Sequence, residues 1–247
     1  MAVWRATQGL HSKQSVKVFA IVCTIAGTIM PTPKERLSHL LELAARGAGE
    51  RAALAGEVAD LLLDWPDAYP TSMRATFESL LEKIVREMDL GARAALAPRF
   101  HGRDDVPLTL LNEFFLCAPD EMRAAILARN DAAGATDALP IDSGALLEAA
   151  RSGKDFAAAL ARRAGLGEGL AAQIAGDGGA LAVLCKGAGI SRATFSAIAI
   201  LAGPPRPVDE SFAMLAAYDR VPANGAMQLL AFWQAGSEPA LEAADAA

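Results

Sequence analysis

Two groupings of histidine with carboxylates have residue types that could ligate a metal or move a proton: His39 with Glu42, and His101 with Asp104 and Asp105. Zinc needs three or four converging ligands, and each grouping lacks the further ligands a closed or catalytic site requires. They read instead as a solvated helix face and a polar loop. The cysteines Cys23, Cys117 and Cys185 lie far apart with no paired spacing. They read as small buried hydrophobes in a reducing compartment, neither a disulfide framework nor a zinc site. Cys185 would act as a nucleophile only beside a histidine that folding would have to supply. Ser191 follows Gly189-Ile190, but Ala193 stands where a nucleophile elbow needs glycine. No phosphate loop, dinucleotide fingerprint or zinc-helix motif is present, so the expectation is a non-enzyme with no catalytic residue, cofactor or metal.

A different chemistry is suggested by residues 181–201, LAVLCKGAGISRATFSAIAIL, which have the outline of a DNA-binding helix-turn-helix: Gly189 at the turn, Ser191 as cap, then a second helix. A recognition helix presents long polar side chains to bases and phosphates. After Arg192 this one offers Ala193, Thr194, Phe195, Ser196, Ala197, Ile198, Ala199 and Ile200, residues suited to burial. Charge points the same way. The chain carries 23 bases and 29 acids; removing residues 1–29, with three bases and no acid, leaves 20 bases against 29 acids, or −9. An acidic surface disfavours nucleic acid and anionic membrane as partners.

The elements that would position such residues are helices. The chain is 53% hydrophobic but only 6% aromatic, and alanine recurs throughout, which favours closely packed helices over sheet. Thr32-Pro33-Lys34-Glu35 has a capping-box spacing, followed by Leu37, Leu40, Leu41 and Ala44 at helical period. A second helix is expected from about Glu50 to Trp65, with Leu54, Val58, Leu61 and Leu62 on one face. The clearest runs from about Thr71 to Met88, its apolar stripe formed by Met73, Phe77, Leu80, Leu81, Ile84, Val85 and Met88. Further helices are expected at about Ala92 to Phe100, Pro107 to Cys117 and Pro119 to Arg129, then short ones from Asp142 or Ser143 to about Ala202. The last two are placed at about Asp209 to Tyr218 and Ala223 to Trp233.

The run VKVFAIVCTIAGTIMP, Val16 to Pro31, is too short an apolar stretch to span a bilayer. It reads either as a weak signal-like segment or, better, as an over-extended start, with Met30 opening the helical body. The expected organisation is thus residues 1–29 outside the fold, an N-terminal helical half at 30–130, a linker at 131–141, a C-terminal repeat half at 142–235 and a frayed tail at 236–247. Within the second half, Leu160 to Glu168 aligns with Leu184 to Arg192, pairing Ala164-Gly165 with Ala188-Gly189 and Ile174-Ala175 with Ile198-Ala199. One helix, a glycine turn and a second helix cannot bury their own apolar face, so such units stack on neighbours.

The blocks RATFESLLEKIVREMDLGARAALAPRF (Arg74 to Phe100), LARRAGLGEGLAAQIA (Leu160 to Ala175), residues 181–201 quoted above and YDRVPANGAMQLLAFW (Tyr218 to Trp233) resemble the bacterial domain-of-unknown-function family 2336. The resemblance runs from about Lys34 to Trp233. It implies an all-α architecture of helical hairpins stacked as HEAT-like repeats or an irregular solenoid, and it supplies no catalytic residues. The expected function is a cytoplasmic, non-catalytic scaffold or adaptor that binds an unknown protein partner. A helix-turn-helix regulator and an unrecognised enzyme are the alternatives. The apolar stripe of the last two helices offers Phe212, Leu229, Phe232 and Trp233 as the partner-binding residues.

Overall fold

The structure is a computed structural model that describes residues 48–65, 69–134, 136–153, 155–202 and 207–237. Expectations for residues 1–47, including His39, Glu42, Cys23 and the Thr32 capping box, and for the tail beyond 237 lie outside the described residues. Among the described residues there are twelve α-helices, one 3-10 turn and no strand. The chain divides into two compact units between Leu80 and Leu81.

The first unit contains α1 (Ala48–Leu63) and the opening turns of α2 (Thr71–Glu87). On α1 the expected stripe is buried at Leu54, Val58 and Leu62, and Ala55 and Ala59 extend it. Trp65 stands edge-on to Tyr69 and to Phe77, with ring centroids 5.7 Å and 6.0 Å away. Arg74 and Glu78 pair at 2.9 Å one turn apart on the polar side of α2.

The second unit begins with the remainder of α2, where Leu81, Ile84, Val85 and Met88 are buried. Asp89 caps α3 (Leu90–Leu96) by accepting the Ala92 N–H at 2.8 Å. The single helix expected here is two elements. Pro98 lacks an N–H and its ring crowds the carbonyl a turn earlier, so the chain tightens into a 3-10 turn at Ala97–Phe100. Next come α4 (Leu108–Phe114) and α5 (Asp120–Ala132), packed on each other. Between them the buried Asn112 and Asn130 exchange amide hydrogen bonds of 2.7 Å and 3.3 Å. This pairing satisfies groups whose isolated burial would be destabilising.

After a connector come five short helices: α6 (Ser143–Ser152), α7 (Phe156–Ala164), α8 (Glu168–Gly176), α9 (Gly178–Gly187) and α10 (Arg192–Leu201). Two longer ones close the unit, α11 (Val208–Arg220) and α12 (Ala223–Ala235). At the centre lies α9, packed against α8, α10, α11 and α12. Its residues Ala180, Leu181, Ala182, Val183, Leu184 and Cys185 are all buried, as suits a helix apolar on every side. α12 packs on α9, α5 and α4. The approach is close enough that a Cβ on Gly225 would lie 2.4 Å from the Leu127 carbonyl oxygen of α5. One on Gly187 of α9 would lie 2.5 Å from the Ala226 carbonyl oxygen of α12.

The helices on either side of residues 131–141 in sequence, α5 and α12, pack on each other within the second unit, which begins at Leu81. Asp131 and Ala132 belong to α5, and Asp131 accepts the Gly225 N–H at 3.2 Å. Arg123 ties α5 to the α8/α9 junction through a 2.7 Å ion pair with Asp177, whose carboxylate also caps α9 by accepting the Gly179 and Ala180 N–H groups.

The 24-residue echo is present in the backbone. α7 ends at Gly165 with φ +64°, and Leu166 N–H reaches back to the Ala161 carbonyl at 2.9 Å. α9 ends through Gly189 at φ +68°, and Ile190 N–H reaches back to the Cys185 carbonyl, also at 2.9 Å. Both are helix ends closed by a left-handed residue that L side chains enter at a cost, with the following apolar residue buried. Each turn then starts a helix that buries equivalent positions, Ala171 and Ile174 in α8, Phe195 and Ile198 in α10.

Candidate interaction surface

The α9 turn is locked from α11. Tyr218 donates its hydroxyl to the Ile190 carbonyl at 2.6 Å and stacks on Phe195 with centroids 4.8 Å apart. The Lys186 ammonium lies 4.5 Å from the Tyr218 ring centroid, a cation–π contact. Burial, followed by the nearby Cys185 and Asp219, raises the Tyr218 pKa, so the phenol stays a donor. Ser191 caps α10 by accepting the Thr194 N–H at 3.2 Å, as its sequence position suggested.

α10 and α11 form an antiparallel hairpin whose register is fixed by two contacts. Arg192 at the start of α10 donates to Asp219 near the end of α11 at 2.8 Å, and Phe195 faces Tyr218 one turn further in. The Arg192 hydrogen bond holds the Asp219 carboxyl below its ordinary range. That exposed ion pair marks the outer face of the hairpin. Ile200 lies eight residues beyond Arg192 on α10 and Phe212 seven residues before Asp219 on α11, so in this antiparallel pairing both stand about two turns from the ion pair, toward the opposite end of the hairpin. There the two side chains are 65% and 66% exposed, and Leu201, next to Ile200 in the chain, is 43% exposed. Between the charged and apolar ends Ala193 and Ala197 on α10 and Ala213 and Ala216 on α11 are exposed or half-exposed, with the half-buried Leu215 among them.

The four residues expected to meet a partner therefore separate. Phe212 is exposed on the hairpin face and Phe232 is half-buried, whereas Leu229 and Trp233 lie in the core. Trp233 packs edge-on to Phe115 at 5.8 Å, because α12 is covered by α5 on one side and α9 on the other. The sequence pattern of α10 also needs correction. Phe195, Ile198 and Ala199 are buried as expected, but Ile200 is largely exposed. Residues 181–201 do form a helix, a tight turn and a helix. On the outer side of α10, however, the one long polar side chain, Arg192, is held by Asp219.

The other candidate chemistries are dispersed. His101 is exposed in the turn after the 3-10 element, Asp105 pairs with Arg103 at 3.2 Å, and the Asp104 carbonyl accepts from Arg129. Among the described residues no group of three or more His, Cys, Asp or Glu side chains converges as a metal site. Cys185 is buried in α9, and desolvation pushes its thiol up to about 12, so it remains an unreactive thiol. Cys117 is half-buried; burial raises its pKa too, and its thiol donates to the Phe114 carbonyl. Among the described residues no helix is long and apolar enough to cross a membrane. Comparison with protein-family models, with curated proteins and with solved structures finds no match for this chain.

Proposed function

We propose that the chain is a non-catalytic helical-repeat scaffold that binds another protein in a bacterial cytoplasm, with the outer face of the α10–α11 hairpin as its docking surface. The observation that carries this reading is the exposure of Ile200, Leu201 and Phe212, three large apolar side chains left in solvent toward one end of the α10–α11 hairpin. The occupant that fits is the apolar side of an amphipathic partner helix. Alanines along both helices permit close backbone approach, and the three bulky residues serve as the anchor. The HEAT-like arrangement and the kinship with family 2336 belong to the same proposal, supported by the paired helix–glycine turn–helix units.

A photo-crosslinking residue placed at position 212 tests the docking face in living cells, with position 163, an exposed site on α7, as the control. The reading expects a discrete protein adduct from 212 and none from 163. Adducts that are the same from both positions, or absent from both, contradict it. The charge arrangement predicts no salt-dependent binding of random duplex DNA, whereas a steep salt dependence would favour the regulator instead.

A further inference from the structure

The connector between α5 and α6 is held on α12 by its backbone. Gln234 accepts the Leu139 N–H on Oε1 at 2.7 Å, and its Nε2 donates to the Leu139 carbonyl at 3.2 Å. One side-chain amide thus reads both polar groups of a single residue. Earlier on α12, Gln228 donates to the Gly134 carbonyl. Residues 136–142 have no regular secondary structure, and the Leu139 side chain is 63% exposed. What is recognised at Leu139 is the peptide unit, so apolar burial of that side chain does little to hold the connector down.

Gln234 does not depend on the connector for its orientation. The same Nε2 donates at 3.0 Å to the carbonyl of Ala164, the last residue of α7, so a neighbouring helix end fixes the amide. A clamp preset by a rigid element, reading backbone without regard to side chain, is the arrangement used to recognise extended peptides. We propose that α12 carries a site for an extended peptide segment of a partner protein, filled in this structure by the chain's own connector, which the partner segment must displace. This site is separate from the α10–α11 face and stands or falls independently of it.

The probe is a labelled, end-capped peptide of residues 134–141, GATDALPI, followed by fluorescence anisotropy with three forms of the full chain. Leu139→Pro removes the N–H that Gln234 accepts and frees the clamp, so the peptide should bind this variant about tenfold more tightly than the unaltered chain. Adding Gln234→Ala should abolish that gain. Equal binding to the unaltered and Leu139→Pro chains, or undiminished binding to the double variant, overturns the proposal. A second measurement needs no variant: excess peptide should speed hydrogen exchange at the Leu139 amide of the unaltered chain by about tenfold. Unchanged exchange at saturating peptide overturns it as well.

Discussion

The two units built on the same glycine turn, α7 with α8 and α9 with α10, reach solvent differently. Gly165 and Gly189 take the same left-handed conformation and the same backbone closure follows each. Yet the positions 24 residues apart diverge wherever neighbours differ. Arg163 is exposed on α7, whereas its counterpart Gly187 is pressed against the backbone of α12. Ala171 corresponds to Phe195, which fills the space beneath Tyr218. At the far end, Gly176 and Asp177 lead directly into the cap of α9, while Ile200 and Leu201 stand in solvent. A repeated local motif therefore fixes the turn, and the neighbours decide whether a position becomes a core contact, a close approach or an open apolar end.

The largest expected effect is at the Phe195/Ala171 pair. Phe195→Ala empties a fully buried site and removes the Tyr218 stack, and should cost about 4 kcal/mol in chemical unfolding. A loss under about 1 kcal/mol would mean that the α10–α11 hairpin is not packed as described. Next comes the Gly187/Arg163 contrast. Gly187→Ala drives a Cβ into the Ala226 carbonyl and should cost about 2–3 kcal/mol, while Arg163→Ala should change stability by less than about 0.5 kcal/mol. Similar values for the two would erase the distinction between a close approach and a free surface.

Smaller effects test the likeness of the copies. Gly165→Ala and Gly189→Ala each put an L side chain in the left-handed region with open space or ordinary contact around it, so each should cost about 1–2 kcal/mol, and by similar amounts. Asp177 gives the smallest effect, present at neutral pH and fading in acid. Burial raises its carboxyl pKa, but the Arg123 hydrogen bond and charge, with the Ala180 and Gly179 N–H groups, more than offset that and hold it below its ordinary value. A depressed folded-state pKa contributes stability above the unfolded pKa that is lost as pH falls through the folded one. Unfolding measured from neutral pH down through the carboxylate range should lose part of its acid slope in Asp177→Asn. An unaltered slope would show that the ion pair joining α5 to α9 does not form.

The sequence makes the helices and their caps readable, because caps and apolar periodicity are local. Asp142 and Ser191 cap as their types indicate, and the Thr71 stripe is buried at Leu81, Ile84, Val85 and Met88. Less readable is what covers each face. Leu229 and Trp233 share the apolar character of Phe212, and only the approach of α5 and α9 to α12 sends them inward. Ile200 looks like its buried neighbours Ile198 and Ala199 until the hairpin register places it outside. The Gln234 clamp joins residues 95 positions apart, and nothing local to either segment announces it. The all-round burial of α9 did have a signal, the absence of any charge between Gly178 and Cys185.

The measurement that bears most directly on the scaffold reading is affinity capture of the unaltered chain and an Ile200→Ser/Phe212→Ser variant from the native cells, with mass spectrometry of what each retains. Both substitutions lie in solvent, so helicity and unfolding midpoint should match between the two chains. The account predicts a reproducible protein partner held by the unaltered chain and lost from the variant. Retention of the same proteins by both, or of none by either across several growth states, would contradict it.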